Sequence, residues 1–271
     1  MARRTLNGLR ALVTGSSSGI GRAIALELAR NGVDLVLAAR RAQALEALGA
    51  DVQAFGRRAI SIAGDVTDAA VRNQALQAAQ EQLGGLDLLV NNAGVSAHGR
   101  FADGGRDILR RIMEVNFFAA VELIREAVPL LREGRTPMVV NVSSILGRRG
   151  IPLNAEYCAS KFALTGFSEA LRAELAGEGI DVLIVSPGTT ATELFDSLLE
   201  EREKPAWANS RGVTPEYVAR ATVKAIRQGK HEIVPNWQGW GLLLANRIAP
   251  RVVDRVMKRL GRRDNTSPGE K

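Results

Sequence analysis

Two side chains that can exchange a proton, Tyr157 and Lys161, lie four residues apart in the sequence. The amphipathic stretch Glu156–Leu175 predicts a helix, and four residues is close to one helical turn, so both side chains project from one face. A free phenol has a pKa of about 10, and a nearby ammonium group lowers that pKa. The pair could therefore transfer a proton to or from a carbonyl/alcohol oxygen. Without other motifs, an ordinary Tyr–Lys pair on a helix surface would be the better interpretation.

A glycine- and serine-rich turn, Thr14–Gly21, follows the first apolar run of the chain. Its glycines permit a tight turn and a close approach of the backbone to an anion. The free N–H groups and the positive end of the following helix dipole then favour a pyrophosphate. The spacing is neither G-x-G-x-x-G nor a P-loop. Alone, the turn is equally compatible with a flexible loop.

The elements that must position these residues alternate between short apolar strands and amphipathic helices up to about residue 235. Such alternation predicts an α/β fold with a doubly wound, mainly parallel sheet of seven strands and helices on both faces. Sheets of this kind bind ligands beyond the carboxyl ends of their strands. The predicted strands are Ala11–Val13, Leu35–Ala38, Ala59–Ile62, Leu86–Val90, Met138–Val142, Val182–Val185 and Glu232–Val234. The predicted helices are Ala23–Asn31, Gln43–Phe55, Ala69–Leu83, Ile108–Leu131, Glu156–Leu175 and Pro215–Gln228.

Further motifs follow in order at the predicted strand ends. They are Asp65-Val66, Asn91-Asn92-Ala93-Gly94, Asn116, Ser144, Tyr157-x3-Lys161 and Pro187-Gly188-x3-Thr192. Together with the T-G-x-x-x-G-x-G pattern of the first turn, they resemble the short-chain dehydrogenase/reductase family over residues 8–235. The resemblance implies a Rossmann-type catalytic domain over 1–235 and a homodimer or homotetramer formed through the long helices.

The family resemblance also assigns roles to the catalytic candidates. Ser144, thirteen residues before Tyr157, is selected over Ser143 and would polarise the substrate oxygen. Tyr157 would act as general acid/base, while Lys161 would lower its pKa and hold the nicotinamide ribose. Asn116 would support a water relay to Lys161, although an ordinary polar helix residue is the alternative.

The cofactor-binding candidates follow from the same resemblance, together with Tyr157 and Lys161. Asp65 would accept a hydrogen bond from the adenine amino group, unless it is only a turn residue. Thr192 would contact the carboxamide of the nicotinamide. The family precedent is that the nicotinamide delivers hydride from its pro-S face. The candidates are Gly15, Ser17, Ser18, Gly19, Ile20, Gly21, Arg40, Arg41, Asp65, Val66, Asn91, Ala93, Gly94, Pro187, Gly188, Thr190 and Thr192.

The end of the second strand predicts which nicotinamide cofactor is used. NAD enzymes usually place an acidic residue there to accept from the ribose 2′-OH, whereas this chain has Ala39 followed by Arg40 and Arg41. A guanidinium suits a 2′-phosphate through charge-assisted hydrogen bonds. We therefore expect NADP(H); the alternative is that both arginines are solvated charges at the start of a helix.

Composition and charge exclude several other classes. With 46% hydrophobic and 24% charged residues, the 271-residue chain is in the globular range. One cysteine, Cys158, and two histidines make a zinc site implausible, and we interpret Cys158 as a packing residue. The net charge of +7 comes mainly from residues 247–271, with eight basic and three acidic side chains. With 4% aromatic residues as well, nucleic-acid binding is not expected.

The last residues extend beyond the family core. We expect an amphipathic extension over 236–260, with a helix from Pro250 to before Gly261, and a disordered tail over 261–271. Its tryptophans and basic amphipathic helix have two interpretations. They could form a peripheral membrane anchor, or they could pack on the protein with the basic face solvated. No secretory leader or spanning segment is expected, so the predicted location is cytoplasmic, with or without contact to a membrane surface.

Taken together, the sequence predicts an NADP(H)-dependent oxidoreductase that interconverts a carbonyl and a secondary alcohol. Ile145, Leu146 and the segment Glu193–Arg211, which corresponds to the variable lid of the family, favour an apolar substrate such as a steroid, a retinoid or an acyl-chain ketone. An epimerase or dehydratase is disfavoured by the chain length. A non-catalytic NADP(H)-binding regulator or membrane-associated scaffold of the same fold is the alternative.

Overall fold

Seven parallel strands form one sheet in the computed structural model, which describes residues 4–190, 198–203, 205 and 212–261. Their order across the sheet is β3-β2-β1-β4-β5-β6-β7, so the chain reverses its winding direction between β1 and β4. The strands are β1 Arg10–Thr14, β2 Asp34–Ala39, β3 Ala59–Ala63, β4 Leu88–Asn91, β5 Met138–Val142, β6 Asp181–Val185 and β7 Glu232–Ile233.

Helices cover both faces of the sheet. One cluster of buried apolar side chains joins α1, α2 and α7 to the sheet, and a second cluster joins α3, α5 and α6 to the other face. The helices are α1 Gly19–Arg30, α2 Ala42–Gln53, α3 Ala69–Ala78, α4 Ile108–Met113, α5 Ala119–Arg132, α6 Ala155–Leu175, α7 Pro215–Arg227, α8 Trp237–Ile248 and α9 Pro250–Leu260.

The sequence explains why this sheet is covered on both faces. Every residue of β4 and of β5 is buried, so neither strand shows the alternation of a half-exposed strand. The edge strand β3, in contrast, alternates between partly buried and exposed residues. The predicted doubly wound Rossmann-type fold with seven parallel strands is confirmed, and the predicted strand bounds differ from the observed ones by at most two residues.

The predicted helix Ile108–Leu131 is not continuous. A π-helical turn, Glu114–Phe118, lies between α4 and α5. A second π-helical turn, Ala79–Leu83, ends the helix predicted over Ala69–Leu83. A π turn changes which side chains face the sheet, and such turns concentrate at functional sites. The first of them carries Asn116.

The extension beyond residue 235 forms two helices, α8 and α9, where we expected one. The expected helix from Pro250 is confirmed, whereas α8 was not predicted, because its two glycines and mixed polarity give no clear helical period. Arg149 joins both helices to the body of the protein: its guanidinium donates to Asn246 of α8 at 3.0 Å and to Asp254 of α9 at 2.6 Å. Residues 262–271, most of the predicted tail, lie outside the described part of the chain.

Candidate active site

A cavity of about 470 Å³ opens at the carboxyl ends of the strands, where the winding reverses. Its size is that of a small-molecule or cofactor site. Almost all described candidates from the sequence line it; Gly21, Asn91 and Asn116 do not. The candidates in its wall are Gly15, Ser17, Ser18, Gly19, Ile20, Arg40, Arg41, Asp65, Val66, Ala93, Gly94, Ser144, Tyr157, Lys161, Pro187, Gly188 and Thr190.

One end of the cavity is formed by the turn before α1. Gly15 has φ +62°, and a Cβ there would lie 2.8 Å from the Cα of Ala93, so the turn requires glycine. The N-cap of α1, Ser18, makes no side-chain capping bond, and the first turn of this 12-residue helix holds no acidic residue. Its N–H groups and dipole are thus available to an anionic ligand, which fits a pyrophosphate.

Asn92, which the sequence interpretation passed over, holds this turn in place. Its amide donates to the carbonyl oxygens of Thr14 and Gly15 at 3.2 and 3.1 Å, and its backbone N–H donates to the Thr14 hydroxyl at 3.0 Å. The neighbouring Asn91 instead turns away from the cavity, donating at 2.9 Å to Asn141 of β5. Asn91 therefore joins two strands, and a direct contact between its side chain and a cofactor is not part of this geometry.

Arg40 and Arg41 lie beside the turn, at the end of β2, and both are exposed at the edge of the cavity. The Arg41 guanidinium donates to the Ser17 hydroxyl at 3.3 Å. Ala39 also lines the cavity, and neither Ala39 nor its two neighbours on either side along the chain is acidic. The end of β2 therefore has cationic side chains at the cavity edge and no acidic side chain among residues 37–41.

Asp65 and Val66 line the cavity after β3. The Asp65 carboxylate accepts from the backbone N–H of Thr67 at 3.0 Å and from its hydroxyl at 2.8 Å, which makes a local turn. Asp68 is the N-cap of α3, accepting from the Ala70 N–H at 2.8 Å. Asp65 thus forms a turn and lines the cavity, and its bond to the adenine amino group stays a prediction.

The catalytic candidates meet at the middle of the cavity. Lys161 Nζ donates to the Val142 carbonyl at 3.0 Å and lies 5.6 Å from the centre of the Tyr157 ring. The Ser144 hydroxyl accepts from the Leu146 N–H at 3.1 Å and makes a longer, 3.4 Å contact with the Pro187 carbonyl. A contact that long is weak, so the hydroxyl can turn toward a substrate oxygen at little cost.

Burial shifts the pKa of both proton-transfer candidates. It raises the pKa of Tyr157 well above its usual range, with a hydrogen bond to Ser144 acting in the opposite direction. Burial lowers the pKa of Lys161 to about 8. In the free site Tyr157 is therefore a neutral phenol and Lys161 is mostly an ammonium ion at neutral pH. The sequence interpretation expected the lysine to lower the pKa of the phenol, and in the free site desolvation outweighs that effect.

The π-helical turn directs Asn116 toward the loop after β4. Its Oδ1 accepts from the Val95 N–H at 2.8 Å, while its Nδ2 donates to the Val95 carbonyl at 2.9 Å and to Ser160 at 3.0 Å. A Cβ on Gly94 would lie 3.3 Å from this Oδ1 and 3.7 Å from Lys161 Nζ. The amide of Asn116 therefore fixes the loop close to Lys161, and its part in a water relay stays a prediction.

The loop after β6 closes the nicotinamide end predicted from sequence. The Gly188 N–H donates to the Asn236 side chain at 3.1 Å, and the Thr190 hydroxyl donates to the Gly188 carbonyl at 3.0 Å. Asn236 is buried and begins the extension, so this loop and α8 are directly joined. Thr192, together with residues 193–197, 204 and 206–211 of the predicted lid, lies outside the described residues.

The other wall of the cavity contains residues that we did not predict. Ile145 and Leu146 line it as expected, and Leu242 of α8 and Met257 and Leu260 of α9 add further apolar side chains. Three buried polar residues also line it: Ser96, His98 and Asn154. Ser96 bonds Asn154 at 3.2 Å, and burial lowers the pKa of His98, which keeps its imidazole neutral at pH 7.

The described part of the predicted lid, residues 198–203, pairs with the loop after β4. Arg202 N–H donates to the His98 carbonyl at 2.8 Å, and the Leu199 N–H donates to Ser96 at 2.9 Å. The Arg202 guanidinium also binds the buried Glu156 at 2.9 Å. Because Glu156 directly precedes Tyr157, this ion pair joins the lid segment to α6, the helix that carries Tyr157 and Lys161.

Neither a metal centre nor a membrane-spanning helix is present in the described part of the chain. No group of three or more metal-ligating side chains occurs there. Nor does any helix among those residues combine the length and apolar character needed to cross a bilayer. Cys158 is buried, and burial raises the pKa of its thiol, in keeping with a packing residue.

Known proteins are similar to this chain in sequence and in fold. The model of the short chain dehydrogenase family matches residues 10–203. The ketoacyl reductase HetN of Nostoc sp. is 33% identical over 264 residues, which span 95% of this chain and 91% of that protein. A dehydrogenase/reductase SDR family protein 7-like of Anopheles gambiae is 32% identical over 97% of this chain and 86% of its own length.

Solved structures agree. A short-chain dehydrogenase from Streptomyces avermitilis superposes with a TM-score of 0.80 and 32% identity, covering 93% of this chain and 96% of that one. A short chain dehydrogenase/reductase from Burkholderia phymatum, solved in complex with NAD, has the same fold, with a TM-score of 0.84, 24% identity and coverage of 92% and 96%. This chain therefore belongs to the short-chain dehydrogenase/reductase family of oxidoreductases.

Proposed function

We propose that the protein is an NADP(H)-dependent reductase/dehydrogenase that interconverts a carbonyl group and a secondary alcohol. One observation carries the proposal: Ser144, Tyr157 and Lys161 line the same cavity as the anion-binding turn before α1. A dinucleotide with its phosphates at that turn would be bound in the same cavity as these three side chains. When bound, it supplies or accepts the hydride.

The residues of the chain supply binding and the proton. Lys161, held by the Val142 carbonyl, is placed to bind the ribose hydroxyls next to the nicotinamide. Ser144 donates a hydrogen bond to the substrate oxygen and stabilises the charge that develops there. Tyr157 is protonated in the free site because burial raises its pKa, so it is ready to donate a proton in the direction of reduction. The positive charge of an oxidised nicotinamide would lower that pKa in the reverse direction.

Preference for NADP(H) rests on the end of β2. Arg40 and Arg41 lie at the cavity edge, and Ala39 stands where an acidic residue would repel a phosphate. A charge-assisted bond contributes about 1.5–3 kcal/mol. Both arginines are exposed, so solvent screening reduces that contribution. A preference of about tenfold is expected.

The substrate is proposed to be apolar, of the steroid, retinoid or acyl-chain ketone class. Ile145, Leu146, Leu242, Met257 and Leu260 form an apolar wall near the catalytic serine. The buried polar side chains that line the same cavity provide a few oriented hydrogen bonds. An apolar wall with a few polar groups is the usual composition of a small-molecule site.

A homodimer or homotetramer through the long helices is also proposed. Phe118, between α4 and α5, and Phe162 of α6 are 47% and 45% exposed. Burial of such rings against a second copy is favourable. Analytical ultracentrifugation of a Phe118→Glu/Phe162→Glu variant is expected to show a loss of mass relative to the wild type. An unchanged mass would show that these two rings do not lie in an interface between copies.

A cofactor-oxidation screen tests the function. NADPH and NADH are each offered with steroids, retinals and aliphatic ketones, and the decrease in reduced cofactor is followed. We expect turnover of at least one apolar ketone with NADPH, higher kcat/KM with NADPH than with NADH, and none with Tyr157→Phe. Tight NADPH binding without any turnover would favour the non-catalytic alternative.

A further inference from the structure

The two C-terminal helices expose an unusual amount of apolar surface. Among the residues that the structure describes, thirteen large hydrophobic side chains are exposed, and seven of them lie between residues 237 and 260. Trp237 is 81% exposed and Ile248 is 73% exposed. An exposed patch of this kind marks an interaction surface. Six of the seven are Trp237, Trp240, Leu244, Ile248, Val252 and Val256.

The same helices carry a strong positive charge. Five basic side chains and one acidic side chain lie between Trp237 and Gly261. The acidic one, Asp254, is paired with Arg149 of the protein body. Among the described residues, no ion pair is formed by the five basic ones, which are Arg247, Arg251, Arg255, Lys258 and Arg259. A partner for this surface must therefore offer both negative charge and an apolar region that can bury the exposed side chains.

An anionic lipid bilayer has that combination. Its headgroups attract arginine and lysine, and the indole ring favours the boundary between headgroups and acyl chains. A second copy of the chain is a poor partner, because a two-fold contact would place the same basic surface against itself.

The seventh exposed side chain, Leu260, connects this surface to the active site. It is 40% exposed, yet it lines the cavity together with Met257 and Leu242. The helices that present apolar side chains to the outside therefore also form a wall of the cavity, and Leu260 lies at the boundary. A ligand dissolved in a membrane under these helices would reach the cavity without crossing water.

We propose that α8 and α9 dock on an anionic membrane surface and that an apolar carbonyl substrate enters the cavity from the lipid, past Leu260. The docking stands independently of catalysis, whereas the substrate path rests on the proposed oxidoreductase function. The membrane is identified by its chemistry, negative headgroups over an apolar interior.

Sedimentation with vesicles tests the docking on the full chain. We expect binding to phosphatidylglycerol vesicles, weaker binding to phosphatidylcholine vesicles and release of the protein by high salt. Arg251→Gln/Arg255→Gln/Arg259→Gln should weaken binding by about fivefold for each arginine, or about 100-fold together. The matched control, Arg220→Gln/Lys224→Gln/Lys230→Gln, removes the same charge from exposed positions in and after α7 and should bind within about threefold of the wild type.

A second pair of variants tests the apolar contribution. Trp237→Gln/Ile248→Gln should reduce binding at least tenfold, whereas Phe55→Gln/Tyr217→Gln, which changes two exposed rings elsewhere, should not. Wild-type binding equal to that of the charge and apolar variants would overturn the proposal. So would a fall in molecular mass of the Trp237→Gln/Ile248→Gln variant without vesicles, because the surface would then be an interface between copies.

The substrate path has its own readout. With an apolar ketone embedded in phosphatidylglycerol vesicles, the arginine variant should lose most of its kcat/KM, while its turnover of a water-soluble ketone stays near that of the wild type. Equal losses with both ketones would overturn the path through the lipid. Absence of turnover with either ketone, accompanied by normal vesicle binding, would instead contradict the proposed oxidoreductase function and leave the docking standing.

Discussion

The two halves of the cavity are built differently. The half around the anion-binding turn consists of consecutive strand ends held by the sheet and by backbone hydrogen bonds, such as those from Asn92 to the turn at Gly15. The half around Leu242 and Met257 is assembled from distant segments joined by a few side chains. In the first half, the positions of the strand ends determine which residues line the cavity. In the second, contacts between segments far apart in the sequence determine which residues line the cavity.

Arg149 and Arg202 illustrate this difference. Arg149 attaches α8 and α9 to the segment between Ser144 and Tyr157, and Arg202 attaches the lid segment to Glu156. Neither arginine lies in a strand of the sheet. Variants in the catalytic half should therefore mainly reduce kcat or cofactor binding, while variants at these attachments should mainly raise the KM of the substrate.

The largest effect is expected from Tyr157→Phe. Removal of the proton donor should lower kcat about 10³-fold and leave NADPH affinity within a few-fold of the wild type. Tyr217→Phe, at the other tyrosine of the chain, is the control and should retain full activity. Steady-state kinetics and fluorescence titration measure the two quantities. A Tyr157→Phe enzyme with more than a tenth of the wild-type kcat would remove the phenol from the mechanism.

The second largest loss of kcat is expected from Ser144→Ala. Loss of one donor to a developing oxyanion costs about 10²-fold in kcat. Ser143→Ala should lose much less, because the Ser143 hydroxyl is turned toward Thr165 at 2.8 Å. If the two variants lose equal activity, the assignment of Ser144 as the polarising residue is wrong.

The buried lysine predicts how stability changes with pH. The pKa of Lys161 is about 8 in the folded protein and 10.5 in the unfolded chain, so the unfolded chain binds more protons between these values. Lys161 therefore makes the free energy of unfolding rise with pH in that window, by about 1.5 kcal/mol from pH 8 to 9.5. Denaturant titrations should show this rise in the wild type relative to Lys161→Met. Parallel curves would place the lysine in contact with solvent.

Cofactor preference is the next test of the catalytic half. Arg40→Ala should lower kcat/KM for NADPH about tenfold and change the value for NADH little. Ala39→Asp, which adds the missing acidic residue, should shift the preference further toward NADH by repelling the 2′-phosphate. Equal losses of kcat/KM with both cofactors would show that Arg40 supports the loop and does not bind the 2′-phosphate.

The smallest effect is expected at the attachment of the extension. Arg149→Gln removes one ion pair whose carboxylate is exposed, which contributes about 1 kcal/mol or less. The KM for an apolar ketone should rise up to about fivefold, with kcat and NADPH binding almost unchanged. A fall in kcat that exceeds the rise in KM would contradict the division of the cavity into two independent halves.

The location of the catalytic half could be predicted from sequence because hydrophobic periodicity locates the strands, and a parallel sheet brings strand ends together. The choice of Ser144, Tyr157 and Lys161 as catalytic candidates came instead from the family resemblance. The role of Asn92 could not be separated from that of Asn91, since both follow the same strand and only the pleat decides which one faces the turn. The π-helical turn at Asn116 has no pattern in the residues that would reveal it.

The substrate half could not be predicted in the same way. The hydrophobic period of α9 indicates a helix with one buried stripe, and that stripe fits packing on this cavity, on a partner or on a membrane equally well. Leu242 and Met257 line the cavity on two helices that are held by contacts such as those of Arg149 with Asn246 and Asp254, about a hundred residues away in the chain. Contacts over such sequence distances are set by tertiary packing. The cavity-facing and the exposed surfaces of this helix can therefore be distinguished only in the folded protein.

Isotope transfer tests the central claim most directly. The wild type is given NADPH carrying deuterium at the 4-pro-S position together with a ketone substrate from the screen, and the alcohol is analysed by mass spectrometry. We predict one deuterium atom on the carbinol carbon of the product, and no labelled alcohol from Tyr157→Phe over the same time. Alcohol without deuterium, or labelled alcohol formed by Tyr157→Phe at the wild-type rate, would contradict the account.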